Sequence, residues 1–81
     1  MAQIDINNFH RVNKERNTIH DEVYATYTVF DSNGEKYLQI DTYGKAERMN
    51  PEKISQSFQF SRESAAYLVN LLIKEFDLVL Q

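Results

Sequence analysis

The stretch Tyr24-Ala25-Thr26-Tyr27-Thr28-Val29-Phe30-Asp31-Ser32-Asn33-Gly34-Glu35-Lys36-Tyr37-Leu38-Gln39-Ile40-Asp41-Thr42-Tyr43 decides how this chain folds. At its centre stands Asn33-Gly34. A two-residue type I′ turn needs positive φ at both positions, which Asn and Gly tolerate best. Both flanks are rich in Tyr, Thr, Val, Ile and Phe, as strands are. With Asn33 and Gly34 as the turn, partners lie equidistant from it. Asp31 faces Lys36, Val29 faces Leu38 and Tyr27 faces Ile40, an apolar face that continues through Ala25 and Thr42. On the other face Phe30 meets Tyr37, Thr28 meets Gln39, Thr26 meets Asp41 and Tyr24 meets Tyr43. Each pair is chemically compatible, so the register supports itself.

Outward from the hairpin, Ile4 and Ile6 alternate with Gln3, Asp5 and Asn7, the period of a half-buried strand. The polar run from His10 to Thr18 has no apolar period and reads as a long loop or a ragged hairpin. Gly44 to Glu52, polar and carrying Pro51, reads as a second loop. Lys53 to Phe60 alternates again, with Ile54, Phe58 and Phe60 on one side and Lys53, Ser55, Ser57 and Gln59 on the other. Ser61 then stands as an N-cap before a segment free of Gly and Pro that predicts a helix from Arg62 to about Asp77.

On a helical wheel the apolar residues of this segment fill an arc of roughly 220°, while lying on a sheet needs little more than about 100°. The surplus falls on Ala66, Val69, Ile73 and Phe76, with Leu78-Val79-Leu80 extending it. Either the N-terminal strand and loop fold over this surplus or a second copy covers it. The second is favoured, because a short chain without disulfide or metal buries little surface alone. The expected architecture is α+β. A four-stranded antiparallel sheet is followed by one C-terminal helix, in the order β-β-β-β-α, and the protein dimerises through that helix. One domain spans 1–81, with the N-terminal strand and loop in 1–20, the sheet in 21–60 and the helix in 61–77.

The chain has 81 residues, 42% hydrophobic and 26% charged, with two Gly and one Pro. This is a globular composition and excludes a disordered tail or a collagen-like repeat. With no cysteine there is no disulfide scaffold, thiolate metal site or cysteine nucleophile. No apolar run is long enough for a membrane span, and the N-terminus lacks the basic and apolar regions of a signal peptide, so the cytoplasm is the expected compartment. The net charge of −3 argues against coating duplex DNA through a basic surface.

Catalysis has little to stand on. His10 and His20 sit in or beside the polar loop with no motif around them. Asp21 and Glu22 follow His20, but neighbours on a strand point to opposite faces and make a poor metal cage. No Gly-rich phosphate loop, G-x-S-x-G or H-E-x-x-H is present. No catalytic residue, metal ligand or cofactor is assigned. A binding surface fares better. Tyr24, Phe30, Tyr37 and Tyr43 share the sheet face away from the helix, where rings can stack unpaired bases. Lys36, Lys45, Arg48 and Lys53 are expected to rim that face and meet phosphates. Gln39, Ser55, Ser57 and Gln59 are expected to offer hydrogen bonds, and Asp41 is the one carboxylate expected there, across from Thr26. The plainer reading is that Tyr and Thr sit on a solvated face because they suit strands.

From Tyr24 to Phe76, roughly two thirds of the chain, the sequence resembles the positive cofactor four family of small single-stranded-DNA-binding transcriptional coactivators, with its bacterial and phage relatives. The residues that carry the resemblance are the strand Tyr37-Leu38-Gln39-Ile40-Asp41-Thr42-Tyr43 and the loop ending Pro51-Glu52-Lys53. The strand Ile54-Ser55-Gln56-Ser57-Phe58-Gln59-Phe60 and the helix entered through Ser61 complete it. The resemblance implies a homodimer paired through helices that binds single strands across its sheets, DNA ahead of RNA. The matching contact positions are Lys36, Tyr37, Gln39, Tyr43, Lys45, Arg48, Lys53 and Ser55. The chain departs from the pattern in its acidity and in Asp41 and Thr42. The alternative is a small regulator or inhibitor, of phage, mobile-element or defence type, that sets the same face against a protein.

Overall fold

The computed structural model describes residues 1–44 and 53–79. The hairpin forms as its turn chemistry demands. Strand β2 (Ala25–Ser32) and strand β3 (Glu35–Thr42) pair antiparallel from Ala25 opposite Thr42 to Ser32 opposite Glu35. Asn33 and Gly34 take positive φ of 52° and 79°. The ladder runs one step further, with the Tyr43 N–H donating to the Tyr24 carbonyl at 3.0 Å.

Strand β4 (Gln56–Phe60) pairs antiparallel with β3, setting Leu38 opposite Phe60, Gln39 opposite Gln59 and Asp41 opposite Ser57. A short first strand, β1 (Ala2–Gln3), closes the sheet on the far side of β4, giving the order β1-β4-β3-β2. Here the expectation is corrected. β1 runs parallel to β4, so the sheet is mixed rather than wholly antiparallel. No hairpin joins these two strands, so no turn dictates their relative direction. The strand is also shorter than the alternation through Ile6 predicted. Asp5 ends it by accepting from the Asn7 N–H at 3.0 Å and the Asn8 side chain at 2.7 Å, which winds Ile6–Asn8 into a 3-10 turn.

Helix α1 (Arg62–Phe76) begins at Ser61 with a reciprocal cap. The Ser61 hydroxyl accepts from the Ser64 N–H at 3.4 Å, and the Ser64 hydroxyl accepts from the Ser61 N–H at 2.9 Å. The helix ends at Asp77, left-handed at φ 53°, where the N–H groups of Asp77 and Leu78 both donate to the Ile73 carbonyl.

Strand alternation puts Tyr27, Val29, Leu38, Ile40, Phe58 and Phe60 on one face, and α1 lies across the β3–β4 half of it. Beside the helix, Val29, Leu38, Phe60, Ala66 and Val69 line an open apolar groove of about 390 Å³. Among the described residues only Tyr43 and Phe60 are buried apolar side chains, while Tyr27 stays 75% exposed and Phe76 69%. The N-terminal segment does fold onto the helix, but along its other flank. The Phe9 ring meets Tyr67 edge-on at 5.5 Å, and Arg11 pairs with Glu75 at 3.2 Å. Ala66, Val69 and Phe76 therefore remain exposed and Ile73 half-buried, so the surplus apolar arc is still without a cover. No helix among the described residues is long and apolar enough to cross a membrane.

Candidate nucleic-acid interface

The face away from α1 is arranged in transverse rows, because residues in register on neighbouring strands stand side by side. The first row is Phe30 and Tyr37, whose rings stack at 5.6 Å between centroids and 22° between planes. The second is Thr28, Gln39, Gln59 and Gln3, one from each strand. Thr26, Asp41 and Ser57 form the third. Tyr24 and Tyr43 form the fourth, their rings 5.3 Å apart and tilted by 48°. Tyr43 lies six positions beyond Tyr37, so the two aromatic ends lie roughly 20 Å apart along β3.

Hydrogen bonds knit the middle rows into one network. Asp41 Oδ1 accepts from the Ser57 hydroxyl at 2.5 Å and from Gln39 Nε2 at 2.9 Å. Gln39 Oε1 in turn accepts from Gln59 Nε2 at 2.8 Å. Asp41 and Ser57 are buried. The carboxylate thus serves Ser57 and Gln39, not its backbone partner Thr26, whose hydroxyl meets the Tyr43 hydroxyl at 3.2 Å. Asp41 is also not alone. Glu35 shares this face and accepts from the Tyr37 hydroxyl at 3.2 Å. That hydrogen bond, reinforced by the nearby negative charge, raises the Tyr37 phenol above its ordinary value of 10.0.

The expected contact residues are distributed unevenly. Phe30, Tyr37 and Gln39 stand together on the face as predicted. Tyr43 does so too but is only 7% exposed, and Tyr24, at 49%, presents the freer ring of that pair. Ser55 lies exposed at the edge of β4, its N–H donating to the Thr42 carbonyl at 2.8 Å. Lys36 is a correction. Its pairing with Asp31 puts it on the apolar face, where it lines the groove beside Val29 and Leu38. Lys53 is exposed, and Lys45 and Arg48 fall outside the described residues. Sequence reasoning missed Glu35, although its alternation with Tyr37 was available, and Gln3, whose place depends on the parallel pairing of β1. Among the described residues no three His, Cys, Asp or Glu side chains gather as a metal ion would require.

Compared with protein-family models, with curated proteins and with solved structures, the chain matches none.

Proposed function

We propose that this chain is a small, non-enzymatic protein of the transcriptional-coactivator-like type that binds single-stranded nucleic acid, DNA in preference to RNA. It acts as a cytoplasmic homodimer and needs no cofactor. The observation that supports the reading is the sheet face itself. An aromatic pair stands at each end of the β2–β3 hairpin, with a hydrogen-bonded floor of amides between them. Unpaired bases stack on such rings at about 1–3 kcal/mol per base, with little regard for sequence. Tyr24, Phe30 and Tyr37 carry the stacking, Tyr43 backs Tyr24, and Gln39 and Ser55 offer hydrogen bonds. Lys45, Arg48 and Lys53 meet phosphates from the β3–β4 connection, and Lys36 does so only from the hairpin's edge.

The test is fluorescence anisotropy with a labelled single strand and its duplex, each at two salt concentrations. The reading expects tighter binding to the single strand, weakening as salt rises. A folded Tyr24→Ala/Tyr37→Ala protein should bind several-fold more weakly. Unchanged affinity in that variant overturns the stacking role.

A second reading rests on charge. Glu35 and Asp41 lie on this face and Lys36 is turned to the other, which suits a basic protein surface better than phosphates. In that case the chain is a protein-binding regulator or inhibitor, with Tyr24 and Tyr37 as anchors. No oligonucleotide binding at low salt, together with stoichiometric recovery of one protein, would establish it.

A further inference from the structure

The second row of the sheet ends in a pocket. Gln3, Gln39, Ser57 and Gln59, with Met1 and Ala2, line a cavity of about 280 Å³ over the β1, β4 and β3 strands. That lies near the lower end of ligand-pocket sizes and suits one planar heterocycle rather than a larger molecule. The pocket's polarity is set from below. A carboxylate only accepts hydrogen bonds, so Asp41 obliges Gln39 to turn its NH2 group towards it. That turns Gln39 Oε1 towards β4, where it accepts from Gln59 Nε2. The Gln59 amide is oriented in its turn, and among the described residues its Oε1 accepts no hydrogen bond. The buried Ser57 hydroxyl, spent on Asp41, locks the start of the chain. A directional relay therefore runs from a buried carboxylate to the amide of Gln59, one of the residues that line the cavity.

We propose that this pocket seats one unpaired base and selects those bearing an exocyclic amino group, through acceptance of an amino N–H by Gln59 Oε1. Cytosine and thymine show the chemistry most simply. They have nearly the same shape, but the amino donor of cytosine is replaced in thymine by a carbonyl. Facing a fixed acceptor, that carbonyl leaves two oxygens opposed and the pocket's acceptor unsatisfied. Gln59 is the reading residue, and Asp41 and Gln39 are positioning residues that keep its amide from rotating. Gln3 lines the pocket next to Gln59, its register partner on the neighbouring strand. The inference rests on the single-strand reading, and adds to sequence-tolerant stacking a base preference that stacking does not supply.

The experiment compares anisotropy of labelled oligo-dC and oligo-dT of equal length at neutral pH, with wild type, Gln59→Leu, Gln39→Leu and Tyr37→Ala. For wild type the expected result is about fivefold tighter binding of oligo-dC, one net hydrogen bond. Gln59→Leu should bind both alike. Gln39→Leu, which keeps Gln59 but frees its amide, should also lose the preference. Tyr37→Ala should weaken both oligonucleotides and keep the ratio. Equal affinity of wild type for the two oligonucleotides overturns the pocket and leaves the single-strand reading standing. A preference that survives in both glutamine variants overturns the relay. Binding of neither oligonucleotide overturns both readings together. Circular dichroism of each variant shows that it is folded, and Gln59→Met, which removes the reading oxygen but keeps the length of the side chain, replaces Gln59→Leu if the latter fails to fold.

Discussion

At the scale of single residues, the side chain that organises most is Asp41. Sequence alternation placed it correctly on the face away from the helix and opposite Thr26, its register partner on β2. Its hydrogen bonds go to Ser57 and Gln39, because β4 lies on the other side of β3 and supplies a hydroxyl opposite it. Which neighbour a central-strand side chain chooses depends on a strand pairing that no local pattern encodes. Asp41→Ala leaves a buried hydroxyl and an amide without their acceptor, which costs about 1–3 kcal/mol. At roughly 4–8 °C per kcal/mol for a domain of this size, the fall in melting temperature is easily read by calorimetry. Asp41→Asn keeps an acceptor and should lose less. Asp5 shows a different kind of control. The Asn8 side chain and then the Asn7 N–H hold its carboxyl below the ordinary 3.8. A lowered pKa in the folded state adds stability above the ordinary carboxylate range, and that stability is lost as pH falls through the lowered value. An NMR titration should show the Asn7 amide shifting with a midpoint below 3.8. In Asp5→Ala that low-pH transition should vanish.

At the scale of elements, legibility followed the strength of the local signal. The hairpin was readable to the residue because Asn33-Gly34 fixes the turn and eight consecutive pairs agree with it. The helix was readable from its N-cap and its apolar period. Strand β1 was not. Two residues cannot show a period, and the Ile4/Ile6 alternation that suggested a longer strand is broken by the Asp5 turn. The two ends of α1 give opposite predictions. Ser61→Ala removes the acceptor for the Ser64 N–H and should cost about 1 kcal/mol. Asp77→Gly should do the reverse. Asp77 holds a left-handed conformation that glycine adopts freely, and it places a negative charge at the negative end of the helix dipole. Relief of both should raise the melting temperature by a few degrees. Thermal denaturation followed by circular dichroism checks the pair. Equal destabilisation by both substitutions would contradict the capping assignment at the C-terminal end.

At the scale of the whole molecule, the question is what completes the core. Only two apolar side chains among the described residues are buried, and the helix covers just the β3–β4 half of its face. Tyr27, Val29 and Phe58 on the sheet, with Val69, Leu72 and Phe76 on the helix, stay exposed on that side. A buried aromatic accounts for about 150–250 Å², so covering what these six expose removes on the order of 600 Å² per copy. Two copies then bury on the order of 1,200 Å², the lower edge of stable interfaces. The homodimer proposed above would supply that cover, since a two-fold axis would set the same apolar patch against its own image. The wide helical arc in the sequence already signalled this surplus. Which part of it the N-terminal segment would cover was not legible, because the Phe9–Tyr67 and Arg11–Glu75 contacts join residues far apart in the chain. Sedimentation equilibrium at micromolar concentration should therefore give twice the chain's 9.6 kDa. Phe76→Glu should shift it to the monomer, because burying unpaired carboxylates in that apolar patch costs more than the contact returns. Arg11→Ala should leave the dimer intact, since an exposed ion pair contributes at most about 1 kcal/mol and lies on the other flank. A wild type that sediments as a monomer at every concentration would overturn the dimer and leave the sheet face, which stands on its own hydrogen bonds, as it is.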